Sequence, residues 1–320
     1  MLAALLPTHA GPGLPTAPLS GSRWLTAWSF EPVPVLTIAL SALVYLWGVQ
    51  RLRAAGTAWS VGRTVSFVVG GLGSALIATC SALGTYDEVL ISVHMVQHMI
   101  LAMITPVFLA LGAPVTLALR TLPARPRGWL LALVHSRVAA VLTFPVVAGA
   151  LFIVNPFVLY FSGLYELTLQ HDWLHQLVHL HFVAVGLLWY TPLIGVDPLP
   201  RRQSYPLRMI AAFLTLPFHA FMGVAIMSMT TLIAGDWYTA QDRAWGPSPL
   251  TDQHTAGGIL WSSGDLVGLV VFTALFRQWV RASQREARRE DRRLDRLEAE
   301  EAARAARAAR FAGAADQQPR

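Results

Sequence analysis

Histidines placed one helical turn apart are the feature of this sequence that could carry metal chemistry. His94 and His98 are four residues apart in one apolar segment, and His175 and His179 repeat that spacing in another. Side chains at positions i and i+4 lie on the same face of an α-helix, so each pair presents two imidazoles in one direction. Imidazole nitrogen binds copper, zinc, iron and nickel. The spacing therefore predicts two pairs of metal-ligand candidates on two helices.

Three further polar residues extend the candidate set. His181 follows the second pair, His219 lies in a separate apolar segment, and Asp265 interrupts the last apolar segment. Polar side chains inside a bilayer are costly and normally face the interior of the bundle. We therefore predict a metal site built from several helices. Its candidate ligands are His94, His98, His175, His179, His181, His219 and Asp265.

The donor types favour copper but leave other chemistry open. Met95 and Met99 share the helix of the first pair, and Met222 follows His219. Thioether sulfur favours Cu(I), although methionine is also an ordinary filler of apolar helices. Cys80 is the single cysteine, so a zinc site built on thiolates is excluded within this chain. A polar network that packs helices, a proton relay, and haem held by histidines of facing helices are the alternatives.

The elements that must position these residues are membrane-spanning helices. The chain has 320 residues, of which 54% are hydrophobic and only 13% are charged, whereas soluble domains carry roughly 25% charged residues. A spanning helix needs about 20 mostly apolar residues. We therefore predict an all-α fold, a polytopic transmembrane bundle of about seven helices. The predicted spans are Pro32–Val49, Thr64–Leu83, Val89–Leu111, Val138–Phe161, Leu174–Ile194, Met209–Ala234 and Ala256–Val280.

The arginines predict the orientation of this bundle. All 24 basic residues are arginines, and with seven spans all but two of them fall on one side of the membrane. The other side keeps only Arg23 and Arg243, together with acidic residues such as Asp87 and Glu88. The positive-inside rule then puts the N-terminus outside and the C-terminus in the cytoplasm. The net charge of +6 thus indicates topology and not nucleic-acid binding, and the histidines lie near the extracytoplasmic end.

Three regions are predicted along the chain. Residues 1–30 are rich in Pro, Gly and Ser and form a loose extracytoplasmic N-terminus without the pattern of a secretory signal. Residues 31–280 form the seven-helix transmembrane domain. Residues 281–320 form a charged cytoplasmic tail, helical at first and then disordered, in which Arg alternates with Glu and Asp. Within the second span, the glycines at 70, 71 and 73 predict close helix packing.

Four segments resemble the multi-pass CtaG family of cytochrome c oxidase assembly factors, which is distinct from the single-span copper chaperone of the same name. The resemblance runs from about residue 30 to about residue 280. It departs from the family's pattern at His254, where Gln is common, and at Asp265, where Glu is common. The segments are "HMVQHMILAMITPVFLALGAPV" from His94, "HQLVHLHFVAVGLLWYTPLIGVDPLPRR" from His175, "LPFHAFMGVAIMSM" from Leu216 and "DQHTAGGILWSSGDL" from Asp252.

This resemblance implies a function that the spacing of the histidines does not supply. It implies a multi-pass protein of the bacterial plasma membrane that helps cytochrome c oxidase subunits acquire copper, binding the metal transiently like a chaperone and not as an enzyme. The expected partners are oxidase subunits and the lipid bilayer, with no nucleic acid. A membrane haem protein in quinol electron transfer and a metal or proton transporter are the alternative functions.

Overall fold

The computed structural model describes residue 15, residues 17–198 and residues 203–315, and it describes side chains as far as residue 305. These residues form α-helices, two π-helical segments (Ser66–Leu72 and Ile100–Ile104) and connecting turns. In chain order the α-helices are α1 Arg23–Thr26, α2 Pro32–Ala54, α3 Val61–Val65, α4 Gly73–Cys80, α5 Ala82–Tyr86, α6 Ile91–Met99, α7 Thr105–Leu111, α8 Pro114–Thr121, α9 Ala124–Val134, α10 Arg137–Leu142, α11 Pro145–Tyr160, α12 Leu164–Gln170, α13 Asp172–Ile194, α14 Tyr205–Ser228, α15 Gly235–Ala240 and α16 Pro249–Ala315.

The apolar helices confirm the prediction of an all-α polytopic bundle. Within the described residues, six helices are long and apolar enough to cross a membrane, and the bent pair α11–α12 makes a seventh. The spans are Pro32–Ala54, Val61–Tyr86, Ile91–Leu111, Pro145–Tyr160 with Leu164–Gln170, Asp172–Ile194, Tyr205–Ser228 and the helix that begins at Pro249.

Most spans differ from their predicted bounds by a few residues, and the fourth and sixth do so for identifiable local reasons. The fourth was predicted as one stretch, Val138–Phe161, but α10 ends at Leu142 and α11 begins at Pro145, where a proline at the first helical position loses no hydrogen bond. Beyond α11 the chain bends by 67° into α12. The sixth span ends at Ser228 and not at Ala234, because Met229 has an extended backbone.

The last span is a continuous helix, although Ser262, Ser263 and Asp265 interrupt its apolar sequence. The hydroxyl of Ser262 donates to the carbonyl of Gly258, and that of Ser263 donates to the carbonyl of Ile259. Such bonds to the preceding turn satisfy polar side chains within the helix itself. The chain divides into a unit of residues 1–272 and a unit of residues 273–320. In the second unit α16 continues to Ala315, and residues 316–320 lie outside the described part.

A proline and a glycine bring the third and fifth spans together. Pro106 has no N–H to give to the carbonyl of Ala102, and the π-helical turn there absorbs the misfit. On α13, a Cβ added at Gly186 would lie 2.3 Å from that same carbonyl oxygen. Only glycine permits so close an approach of two backbones. The crossing fixes α13 against the third span, with His179 about two turns away along α13.

Glycines also permit close approach at two further contacts between spans. A Cβ at Gly71 would lie 2.4 Å from the Leu109 side chain, which confirms the predicted close packing of the second span. Between α14 and α16, a Cβ at Gly223 would lie 2.6 Å from the carbonyl oxygen of Gly257. One turn before Gly223 along α14 lies His219, whose side chain packs directly against Gly264.

Candidate metal centre

Three buried groups from separate segments converge at one end of the bundle. Asp87 follows α5, His94 lies on α6 and His175 lies in the first turn of α13. One potential ligand atom of each lies within 4.8 Å of the corresponding atoms of the other two. The Nε2 atom of His175 lies 3.1 Å from Oδ2 of Asp87. A carboxylate and two imidazoles that converge within 4.8 Å could share one metal ion.

Gln97 and His179 adjoin this group. The Gln97 amide nitrogen donates to Oδ2 of Asp87 over 2.8 Å and to the carbonyl oxygen of Ala78 over 3.1 Å. Its amide oxygen lies 2.9 Å from Nε2 of His179, whose Nε2 is 3.9 Å from the Asp87 carboxylate. The two acceptors beside the nitrogen fix which way the Gln97 amide points. Gln97 therefore positions both a carboxylate and an imidazole.

Tyr160 joins the two histidines of the third span. Its hydroxyl oxygen lies 3.1 Å from Nε2 of His94 and 2.6 Å from Nδ1 of His98. The His98 ring stacks on Phe182 with a centroid separation of 4.0 Å. His98 is thus one hydrogen bond removed from the converging group. The bend after Tyr160 also brings Tyr165 against the His94 ring at 4.8 Å, so aromatic side chains enclose His94 from the fourth span.

Three unpartnered nitrogens are compatible with a bound metal ion. Nδ1 of His94, His175 and His179 are all buried and lack a hydrogen-bond partner. For His175 and His179, Nε2 faces an acceptor oxygen of Asp87 or Gln97 and so carries the proton, which leaves a lone pair on Nδ1. An unsatisfied buried polar atom costs about 1–3 kcal/mol. A carboxylate that orients a ligating histidine is also a recurrent partner at metal sites.

Half-buried carboxyl groups lie beside this centre and outside the spans. Burial, together with the neighbouring charge of Asp87, raises the pKa of Glu88 to about 7. Burial likewise raises the pKa of Glu31, whose carboxylate accepts a hydrogen bond from the Gln176 side chain. The Glu88 carbonyl accepts hydrogen bonds from Trp237 and Gln241, which tie the segment around α15 to this end of the bundle. A positive ion placed there would relieve the repulsion among these carboxylates.

The structure separates the other predicted ligands from the converging group. His181 is exposed, and its Nε2 lies 2.8 Å from Oδ1 of Asn155. It points away from His179 because two residues along an α-helix correspond to a rotation of about 200°. His219 is buried on α14, and its Nδ1 lies 3.4 Å from the Thr215 carbonyl. Asp265 has a buried Oδ1 without a hydrogen-bond partner, near enough to His219 for electrostatic interaction. Of the seven predicted ligands, the structure brings His94, His175 and His179 together, with His98 behind Tyr160.

Sequence reasoning missed three residues of this centre. Asp87 lies just past the predicted end of the second span and was counted only as a charge of an outer loop. Gln97 is a polar residue within an apolar helix, three positions after His94, and that placement is a usable signal. Tyr160 gives no such signal, because tyrosines at the ends of spans are common at membrane interfaces.

The fold and the site define the class of a multi-pass helical membrane protein with a buried histidine–aspartate centre. The model of one family, described as cytochrome c oxidase caa3 assembly factor (Caa3_CtaG), matches residues 43–282. The chain therefore belongs to this family of bacterial membrane proteins, which confirms the predicted family and the predicted location in a bacterial membrane.

Mycobacterial proteins are among its similar sequences. The chain is 41% identical over 282 residues to uncharacterized proteins Mb0105 of Mycobacterium bovis and MT0111 of Mycobacterium tuberculosis. Uncharacterized protein ML1998 of Mycobacterium leprae is 41% identical over 281 residues. These alignments cover 86%, 86% and 85% of this chain but 42% of each relative, so the chain spans about two fifths of the length of these curated relatives. No solved structure matches the chain.

Proposed function

We propose that this protein assists the assembly of cytochrome c oxidase by binding a copper ion transiently at Asp87, His94 and His175 and passing it to an oxidase subunit. The observation that carries the proposal is the convergence of these three buried groups within 4.8 Å. Membership of the assembly-factor family supports the oxidase as the client. The metal is cargo in this scheme, and we expect no catalytic turnover.

The donor set supports copper as the cargo. Nitrogen and oxygen donors bind copper more tightly than the other divalent metals of the first row. The single cysteine, Cys80, is buried, and its sulfur contacts the hydroxyl of Thr79. Three protein donors also leave a coordination position for a ligand of the client, whereas a closed four-ligand site would retain the ion. His179 is placed to act as an additional donor during exchange.

The haem alternative is less well supported. Two cavities, one beside His219 and one beside His98 and His219, each measure about 10 Å³. A cavity of that size holds about one water molecule, far less than a porphyrin ring requires. The histidine rings are also packed against tyrosine, phenylalanine and one another, and the ring centroids of His94 and His175 are 5.9 Å apart.

Metal analysis of the purified full chain tests the proposal. The detergent-solubilised protein is loaded with copper, desalted and assayed for copper per chain by mass spectrometry, with absorbance recorded for a Soret band. We expect about one tightly bound copper and no Soret band, with at least a tenfold loss of affinity in His175→Ala. His181→Ala is the matched control, because His181 lies on the same helix but contacts Asn155. A wild-type protein without copper, or equal affinity in His175→Ala, would overturn the proposal.

A further inference from the structure

A cavity adjoins His98, the histidine that Tyr160 links to His94. It measures about 10 Å³, and the residues that line it include His98, Met99, Asn155 and His219 among apolar residues. His98, Met99 and His219 are each less than 10% exposed. This cavity therefore gathers imidazole and thioether groups in a space that holds one water-sized particle.

The Tyr160 hydroxyl links this cavity to the metal centre through a single shared proton. One side of the hydroxyl faces Nε2 of His94 and the other faces Nδ1 of His98. A hydroxyl carries one proton, so its O–H is satisfied between these two nitrogens only when it donates to one of them and accepts from the other. Two arrangements of the neutral chain follow, with the same number of protons.

The two arrangements present lone pairs at opposite ends. If Tyr160 donates to His98, then Nε2 of His94 carries a proton and Nδ1 of His94 offers a lone pair. In this arrangement Nε2 of His98 also carries a proton. If Tyr160 donates to His94, Nδ1 of His98 carries the proton, so Nε2 of His98 offers a lone pair and Nδ1 of His94 carries a proton. Conversion takes up one proton at His94 and releases one at His98.

We propose that the cavity is a second copper position, bounded by His98, Met99 and His219 and selective for Cu(I). Tyr160 makes binding of copper at this position antagonistic to binding at the metal centre formed by Asp87, His94 and His175. Imidazole with thioether sulfur is a donor set that selects Cu(I). While copper occupies the metal centre at Asp87, His94 and His175, Nε2 of His98 carries a proton and cannot bind a second ion. The inference rests on the proposed function, because the antagonism requires copper to be bound at the metal centre.

Anaerobic titration with Cu(I), followed by X-ray absorption spectroscopy, tests this inference on the full chain. We expect the wild type to bind one equivalent tightly without sulfur scattering and a second at least tenfold more weakly. Tyr160→Phe removes the shared proton and should tighten the second equivalent at least tenfold, with a copper–sulfur signal. Tyr165→Phe is the control, since the Tyr165 hydroxyl bonds Tyr238 instead.

Methionine variants identify the sulfur without relying on Tyr160. At excess Cu(I), Met99→Leu should abolish the weak second equivalent and its sulfur signal, whereas Met95→Leu, one turn earlier on the same helix, should keep both. A single equivalent in wild type, Tyr160→Phe and Met99→Leu alike would overturn the second position and leave the proposed function standing. Failure of the wild type to bind any copper would instead remove the proposed function.

Discussion

The side-chain oxygen of Gln97 accepts a 2.9 Å hydrogen bond from Nε2 of His179. Because an amide oxygen can only accept, this bond holds the proton of His179 on Nε2 and leaves Nδ1 unprotonated. The same side chain donates to Asp87. Gln97 thus sets both the orientation of the carboxylate and the tautomer of a neighbouring imidazole, without being a metal ligand itself.

Replacing Gln97 by Leu should therefore weaken copper binding without changing the number of sites. Loss of such orienting partners typically costs 10–100-fold in metal affinity, and we expect a decrease of that size in competition titrations. Gln176→Leu is the control, because Gln176 lies on α13 beside His175 but bonds Glu31. An unchanged affinity in Gln97→Leu would show that Asp87 and His179 keep their positions unaided.

Gly186→Ala should destabilise the bundle. The added Cβ would lie 2.3 Å from the Ala102 carbonyl oxygen and 2.4 Å from Cγ of Pro106. The two spans must then separate, at a cost of about 1–3 kcal/mol as for other overpacked sites. We expect a lower midpoint of thermal unfolding, followed by circular dichroism in detergent. Gly163→Ala is the control, with open space around its Cβ, and a midpoint shift equal in both variants would refute the packing argument.

The number of spans could be predicted from sequence, and so could the placement of each histidine pair on one face of its helix. Which residues form the metal centre could not be predicted. Apolar runs determine span length directly, because every backbone polar group in a bilayer must be satisfied within a helix. Helical periodicity placed His94 with His98 and His175 with His179, but it says nothing of how one helix is rotated against another. That rotation decides that His175 meets Asp87 and His94, while Tyr160 separates His98 from them.

The positions of helix ends also explain why the residues of the centre differ from the predicted ligands. Asp87 joins the centre because α5 carries the second span through Tyr86, beyond its predicted end at Leu83. The Asp87 side chain is then buried and lies within hydrogen-bonding distance of His175. His181 shows the converse, since its sequence motif suggested a ligand while its helical position directs it to Asn155. Local pattern therefore identified the helices, and only their packing selects the residues.

Labelling of introduced cysteines tests the predicted orientation. The arginine distribution puts the turn after α2 in the cytoplasm and the segment after α15 outside. Thr57→Cys and Ala244→Cys place thiols at exposed positions of these two segments, and the native Cys80 is fully buried. In intact cells a membrane-impermeant maleimide should label Ala244→Cys, and it should label Thr57→Cys only after permeabilisation. The reverse pattern would put the metal centre on the cytoplasmic side.

Asp87→Asn should abolish tight copper binding while leaving the fold intact. The amide keeps nearly the shape of the carboxylate, so Gln97 and His175 still meet a polar partner, but the negative charge that favours a cation is lost. We expect at least a hundredfold loss of copper affinity, because the change removes either a ligand or the carboxylate that orients His175. The thermal midpoint should stay within a few degrees of the wild type.

Asp236→Asn is the matched control for this change. Asp236 is an exposed carboxylate in the first turn of α15, on the same predicted side of the membrane as Asp87. If general surface charge attracted the copper, both variants would lose affinity alike, and added salt would weaken the wild type to the same extent. A loss confined to Asp87→Asn and insensitive to salt would instead locate the effect at the buried carboxylate, where screening by ions is weak.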